Sequence, residues 1–303
     1  MNTPTPKTIP EYLDQLRDAL RSADPALLQD ALYDAEEYLR SELAENPGTD
    51  EATLLATIAT SYGAPEEVAA IYRDTEVRVS KALSPPPAKA RRSIAGQFFG
   101  VATDSRAWMA LFYMLLSLAT GIVYFTVVTT GLSLSLGLAI LVIGIPFAIL
   151  FVGIVRLLAL VEGRMVEVML GERMPRRPLY AERGLPLLTR IGRMFTDPRT
   201  WSTMLYMLLM LPLGVVYFSL AVTGLSLSLG LIASAAAAAM GRLGLAEFHL
   251  HLHPAPMWDS VLWIPVLFAV GVLGLFVMLH LARGIGQLHG ALAKNLLVKT
   301  AQH

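Results

Sequence analysis

His249, His251 and His253 alternate with leucine in His-Leu-His-Leu-His. On an extended strand this spacing turns three imidazoles to one face, a set able to take zinc or copper. The same run also reads as an exposed polar loop, because no further ligand completes a metal-site spacing around it. Two Leu-Ser-Leu-Ser-Leu runs, at 132–136 and 225–229, carry Ser133, Ser135, Ser226 and Ser228. Their hydroxyls either line a small polar site or satisfy one another and the backbone. His280 is of the type that titrates near neutral pH. Asp104, Arg106 and Trp108 form an Asp-x-Arg-x-Trp motif, and Asp197, Arg199 and Trp201 form a second. The Asp suits a helix cap, the Trp a membrane boundary and the Arg a lipid phosphate. A signal-carrying salt bridge from these arginines to Glu162 or Glu167 is the sharper reading.

Catalytic signatures are missing. The sequence has no Walker loop, no Gly-x-Ser-x-Gly elbow and no His-Glu-x-x-His. It has no cysteine, hence no thiolate nucleophile and no Cys-ligated zinc. The expectation is a protein that is not an enzyme and needs no cofactor.

The elements that must hold these residues follow from charge and hydropathy. The formal net charge is zero, with 24 basic and 24 acidic residues, but the signs are segregated. Residues 1–76 carry 16 acidic and 5 basic side chains, and the remainder carries the opposite excess. Hydrophobic residues make up 54% and charged residues only 16%, against about 25% charged in soluble domains. A disordered chain is excluded, and a purely soluble one is not expected. No secretory signal opens the sequence, so the acidic part should stay in the cytoplasm.

Within residues 8–82 the apolar spacing predicts four helices. Ile9, Tyr12, Leu13, Leu16 and Leu20 share one face of the first. Asp24-Pro25 caps and starts the second, which Asn46-Pro47-Gly48 ends. The third runs from about Asp50 to Gly63, and Pro65-Glu66-Glu67 opens the fourth. The net negative charge argues against direct nucleic-acid binding, which depends on basic residues meeting phosphate. It suits a protein-docking module, with a solvated surface as the plainer alternative. Residues 83–97, with Pro85-Pro86-Pro87, Lys89, Arg91 and Arg92, read as a Pro-rich basic linker.

Residues 103–137 and 196–230 align without gaps at an offset of 93, with 21 of 35 positions identical. Such identity means duplication. Each copy begins a membrane hairpin, with apolar runs at 109–128 and 202–222. In the first copy 134–160 return, with Pro146 as a kink. In the second, 225–240 read as a re-entrant or interfacial segment (or a fifth span), and 261–282 as the returning helix. The expected layout is repeat 1 at 98–180 and repeat 2 at 190–299, with an outer-loop insertion at 231–258. Lys and Arg cluster at 73–106, at 156–200 and after 282, which places both termini and the central segment in the cytoplasm, at the inner membrane. The fold class is therefore all-α: a small cytoplasmic bundle plus a polytopic membrane domain of two tandem two-span repeats.

Two resemblances add to this. Tyr12-Leu13-Asp14-Gln15-Leu16, Asp34-Ala35-Glu36-Glu37-Tyr38 and Tyr62-Gly63-Ala64-Pro65-Glu66-Glu67-Val68-Ala69 resemble the bacterial HAAS signalling domain, with Tyr62 where a Leu is usual. That resemblance implies a regulatory partner of the PadR-like transcription-regulator type. The docking candidates are Tyr12, Asp34, Glu37, Gly63, Pro65 and Glu66. The duplicated unit resembles the sensor domain found at the head of bacterial histidine kinases. The Asp-x-Arg-x-Trp motifs, Tyr-x-Leu-Leu, Gly-x-x-Tyr-Phe and Arg156-Leu157-Leu158-Ala159 through Glu162-x-Arg164 carry the match. In the second copy that exit becomes Ala282-Arg283-Gly284 and Leu288-His289-Gly290, a departure from it. Its implied signal-carrying residues are Asp104, Arg106, Trp108, Asp197, Arg199, Trp201, Glu162 and Arg164. The expectation is a membrane sensor that touches lipid, relays a stimulus to the regulator and forms either a monomer or a homodimer. A small transporter with substrate between the repeats is the alternative.

Overall fold

The computed structural model describes residues 5–83, 94–138, 144–176, 192, 195–244 and 261–298. No strand occurs among them. Four helices make the acidic domain: α1 (Ile9–Ala19), α2 (Pro25–Glu45), α3 (Glu51–Ser61) and α4 (Pro65–Leu83). A short α5 (Ile94–Phe99) and a 3-10 turn (Gly100–Thr103) lead into four long apolar helices. These are α6 (Ser105–Gly137), α7 (Gly144–Leu170), α8 (Pro198–Arg242) and α9 (Trp263–Leu297). Two compact units divide the chain: residues 1–88, 131–205 and 293–303 form one, and 89–130 with 206–292 form the other.

The acidic domain forms where its sequence signals say. Thr8 caps α1 by accepting the Glu11 N–H, and Glu51 of α3 accepts the Ile9 N–H at 2.7 Å. Asp24 caps α2 by accepting the Ala26 N–H at 2.9 Å, with Pro25 at the first position. Gly63 turns the chain into α4 at φ +111°, a conformation that costs a side chain dearly. The Tyr12 hydroxyl fastens that turn by donating to the Gly63 carbonyl at 2.9 Å. Tyr12, Leu16, Leu20, Leu39, Leu55 and Ile58 form the core, where each buried leucine contributes on the order of 2 kcal/mol.

The four long helices have 33, 27, 45 and 35 residues, and at about 1.5 Å per residue each exceeds the roughly 30 Å apolar layer. Large side chains such as Phe112, Leu150, Leu157, Val216 and Phe268 are exposed along them, as lipid-facing positions require. The chain is a multi-pass membrane protein, with four helices long and apolar enough to span among the described residues.

Two expectations need correction. Residues 225–240 are not a re-entrant segment: α8 runs through them to Arg242, and α6 likewise continues through 132–136 to Gly137. Serine does not break a helix where its backbone groups have no water to turn to. The glycines just before the runs serve close packing. A Cβ on Gly131 would sit 2.1 Å from the Phe151 ring, and one on Gly224 would sit 2.7 Å from the Met278 sulfur. The insertion at 231–258 accordingly begins as helix, and there is no separate fifth span in 198–242. Pro146 is the third described residue of α7, and residues 139–143 before it lie outside the described residues. Most of the Pro-rich linker lies outside the described residues.

Candidate functional site

The two Asp-x-Arg-x-Trp motifs fold alike. Asp104 accepts the Arg106 N–H at 3.0 Å, and Asp197 accepts the Arg199 N–H at 3.0 Å. Trp108 Nε1 donates to the Ala102 carbonyl and Trp201 Nε1 to the Phe195 carbonyl, both at 2.8 Å. Each indole is half exposed. These are helix starts with a boundary tryptophan, as the residue types dictate.

The second oxygen of each Asp does something sequence reading missed. Asp197 Oδ2 meets Arg156 Nη2 at 3.4 Å, and Asp104 Oδ2 meets Arg283 Nη1 at 3.2 Å. Arg156 and Arg283 hold the same place in the returning helices, α7 and α9, which correspond at an offset of 127. Phe151 and Met278, which pack on Gly131 and Gly224, obey the same offset. So the Asp that opens each copy is paired with the exit Arg of the other copy.

Environment separates the two motif arginines. Arg106 is exposed, whereas Arg199 is only 5% exposed. Arg199 Nη2 donates to the Val298 carbonyl at 2.6 Å, and Ser202 Oγ donates to the Leu296 carbonyl at 2.7 Å. The start of α8 thereby satisfies the open carbonyls at the end of α9, where a cation also suits the helix dipole. Glu162 is fully buried. Glu167 pairs with Arg164 at 2.5 Å and with Arg176 at 3.2 Å, so the expected bridge from a motif arginine to Glu167 does not form.

At offset 127, the counterpart of Glu162 is His289, also buried. Its Nε2 lies 2.6 Å from the Tyr113 hydroxyl and 2.9 Å from the Tyr206 hydroxyl, and Nδ1 lies 3.4 Å from the Tyr217 hydroxyl. Tyr113 and Tyr206 are the same residue of the two copies, so a single imidazole joins the repeats. Sequence reading noted His289 only as a departure, because its partners lie far away in the chain. The titration candidate His280 stacks on Phe98 and donates to the Phe98 carbonyl at 3.1 Å, a packing role.

The acidic domain meets the ends of the returning helices. Arg173 pairs with Glu76, the Arg176 backbone N–H donates to Asp30 Oδ1 at 2.7 Å, and Lys294 pairs with Asp24. Asp24 therefore caps α2 with one oxygen and holds Lys294 with the other. Burial lowers the pKa of Arg173, with Asp30 and Asp24 opposing the shift.

The docking candidates divide by exposure. Tyr12 and Pro65 are buried and Gly63 half-buried, and all three stand at the turn into α4. Asp34 is half-buried and accepts the Tyr72 hydroxyl at 3.1 Å. Glu37 and Glu66 are exposed. Burial raises the Tyr12 and Tyr72 phenols above their ordinary value, and nearby carboxylates add to it. His249, His251 and His253 lie outside the described residues, and among those described no cluster of three or more His, Asp or Glu suits a metal ion.

The family model described as Putative sensor matches residues 113–297. The chain belongs to this sensor family. The HAAS model matches residues 11–71, which covers the first three helices of the acidic domain and the start of α4. No curated protein and no solved structure matches the chain. Both matched families are signalling domains, and the chain combines a membrane sensor unit with a partner-binding HAAS domain.

Proposed function

We propose that the protein relays a membrane or envelope stimulus to a cytosolic PadR-like transcription regulator, without catalysing a reaction. The sensor unit sits in the inner membrane with both termini in the cytoplasm, and the HAAS domain is the output. The observation that carries this reading is the docking of that domain. Asp24, Asp30 and Glu76 are held by Lys294, Arg176 and Arg173, which lie at or just past the ends of the two returning helices. A shift of α7 or α9 would loosen these contacts and free the acidic face, with Glu37 and Glu66, for a basic partner.

The test is capture by full-length protein in nanodiscs, with bound proteins identified by mass spectrometry. A DNA-binding regulator should be retained more strongly by Lys294→Glu, which releases the domain, and lost from Glu37→Lys/Glu66→Lys. Retention of no regulator by either wild type or Lys294→Glu counts against the relay. Substrate flux in proteoliposomes would favour the transporter alternative.

A further inference from the structure

A small, partly open cleft of about 60 Å³ lies where four helices of one compact unit converge. Gln29 of α2, Arg156 and Gly163 of α7, Pro175, and Arg199 and Thr203 of α8 line it. Two arginines therefore line one small space, and one carboxylate, Asp197, is paired to Arg156. The residue that decides the chemistry is Arg199. It is 5% exposed, its Nη2 is committed to the Val298 carbonyl, and its Nε has no hydrogen-bond partner among the described residues. A buried guanidinium with an unmatched N–H is costly, and a neutral acceptor relieves that cost only in part. A multiply charged oxyanion relieves it fully. Arginine forks match phosphate oxygens in pairs, and the buried Thr203 hydroxyl and the Gln29 amide nitrogen are neutral donors in the lining. The position also suits the ligand. Arg156 and Arg199 belong to spanning helices, and Arg199 is the second residue of α8. Basic pockets between spanning helices near a membrane surface hold anionic head groups.

We propose that this cleft is a binding site for a phosphate group, presented by an anionic phospholipid head or by free phosphate. Gln29 comes from the acidic domain, so an occupied cleft ties α2 to the sensor helices and steadies the docked state. That consequence rests on the signalling role proposed above, whereas the binding itself does not.

The test uses full-length protein in detergent, with three probes: dioleoylphosphatidylglycerol, dioleoylphosphatidylcholine and inorganic phosphate. Binding is read by native mass spectrometry and by the shift in thermal midpoint. Retention of phosphatidylglycerol over phosphatidylcholine identifies a lipid head group, and saturable binding of inorganic phosphate identifies the free ion. In either case Arg156→Gln and Arg199→Gln should each weaken binding by about tenfold or more. Arg283→Gln, the matching substitution in the other unit, should leave it unchanged. Circular dichroism confirms that each variant is folded, and Thr203→Val, a near-isosteric change, supplies a milder loss should Arg199→Gln misfold. The site is overturned if wild type neither prefers phosphatidylglycerol to phosphatidylcholine nor binds inorganic phosphate. It is equally overturned if folded Arg156→Gln and Thr203→Val both bind like wild type. Loss of phosphate binding with regulator capture intact removes the site and spares the relay. Loss of capture with phosphate binding intact does the reverse.

Discussion

Gly121 and Gly214 occupy the same place in the two copies, and each packs against the backbone of the other copy. A Cβ on Gly121 would lie 2.5 Å from the Met210 carbonyl oxygen, and a Cβ on Gly214 would lie 2.3 Å from that of Ser117. Ser117 and Met210 are themselves equivalent at offset 93. The crossing of α6 and α8 is thus self-complementary, the arrangement found in two-fold dimers, here built into one chain. Small residues permit such close backbone approach in membranes.

Gly121→Ala and Gly214→Ala should therefore each destabilise the helix pair by about 1–3 kcal/mol, because backbone atoms cannot step aside. Gly153→Ala is the control, since nothing lies within 4 Å of its added carbon. It should be neutral or stabilising, as alanine favours a helix. Midpoints of unfolding in mixed detergent micelles report all three. Equal midpoints for Gly121→Ala and Gly153→Ala would show that the crossing is not tight.

What the sequence made legible was local. The caps at Asp24, Asp104 and Asp197 follow from residue type and spacing, and so do the turn at Gly63 and the four short helices. Helix length was not legible, because alternating Leu and Ser after a Thr-Gly pair reads equally as a turn. Only the lack of alternative partners for the backbone keeps α6 and α8 helical there. Within the candidate site, the ion pairs were hidden by the insertion in the second copy, which moves the returning helix from offset 93 to offset 127. His289 stayed hidden for the same reason: a lone histidine carries no pattern until Tyr113 and Tyr206 meet it.

The exchange of partners between copies can be measured with double-mutant cycles on Asp197/Arg156 and Asp104/Arg283. Side-chain exposure is 23% and 26% for Arg156 and Asp197, but 49% and 26% for Arg283 and Asp104. The more shielded pair should couple by about 0.5–1 kcal/mol and the other by less. Swapping the charges of a pair should recover part of the loss from either single reversal. Zero coupling at Asp197/Arg156 would reduce that contact to incidental proximity.

His289 serves three tyrosines, so its loss should exceed the loss of any one of them. Tyr113→Phe removes one hydrogen bond and should cost about 0.5–1.5 kcal/mol. His289→Leu removes the shared partner of Tyr113, Tyr206 and Tyr217 at similar volume and should cost at least twice as much. Thermal midpoints in a common detergent compare them, and a His289→Leu midpoint at or above that of Tyr113→Phe would contradict the bridging role.

Alkaline pH should loosen the acidic domain. The Tyr12 and Tyr72 phenols titrate above their ordinary value in the folded chain, while in the unfolded chain they ionise near pH 10. Their contribution is therefore complete below about pH 10 and declines as pH rises beyond it, because only the unfolded state then gains the charge. The sequence has no cysteine, so a single Leu55→Cys thiol in the core reports opening by its labelling rate. Labelling should accelerate from pH 10 to pH 11, where the thiol is already ionised, and less so when Tyr12→Phe and Tyr72→Phe are added. A rate unchanged over that interval would rule out linkage through these phenols.

Docking of the acidic domain should respond to salt. The Lys294–Asp24 and Arg173–Glu76 pairs keep 17–24% of their side-chain surface exposed, so screening reaches them without abolishing them. Raising salt from about 0.05 M to about 0.5 M shortens the screening length from over 10 Å to about 4 Å. Limited proteolysis within residues 10–76 should then speed up several-fold in the full-length protein. Lys294→Glu should give the fast rate at low salt and little further change at high salt, because the contact that salt weakens is already gone. Wild-type cleavage indifferent to salt would mean that these ion pairs do not hold the domain, and that the charge segregation along the chain serves topology only.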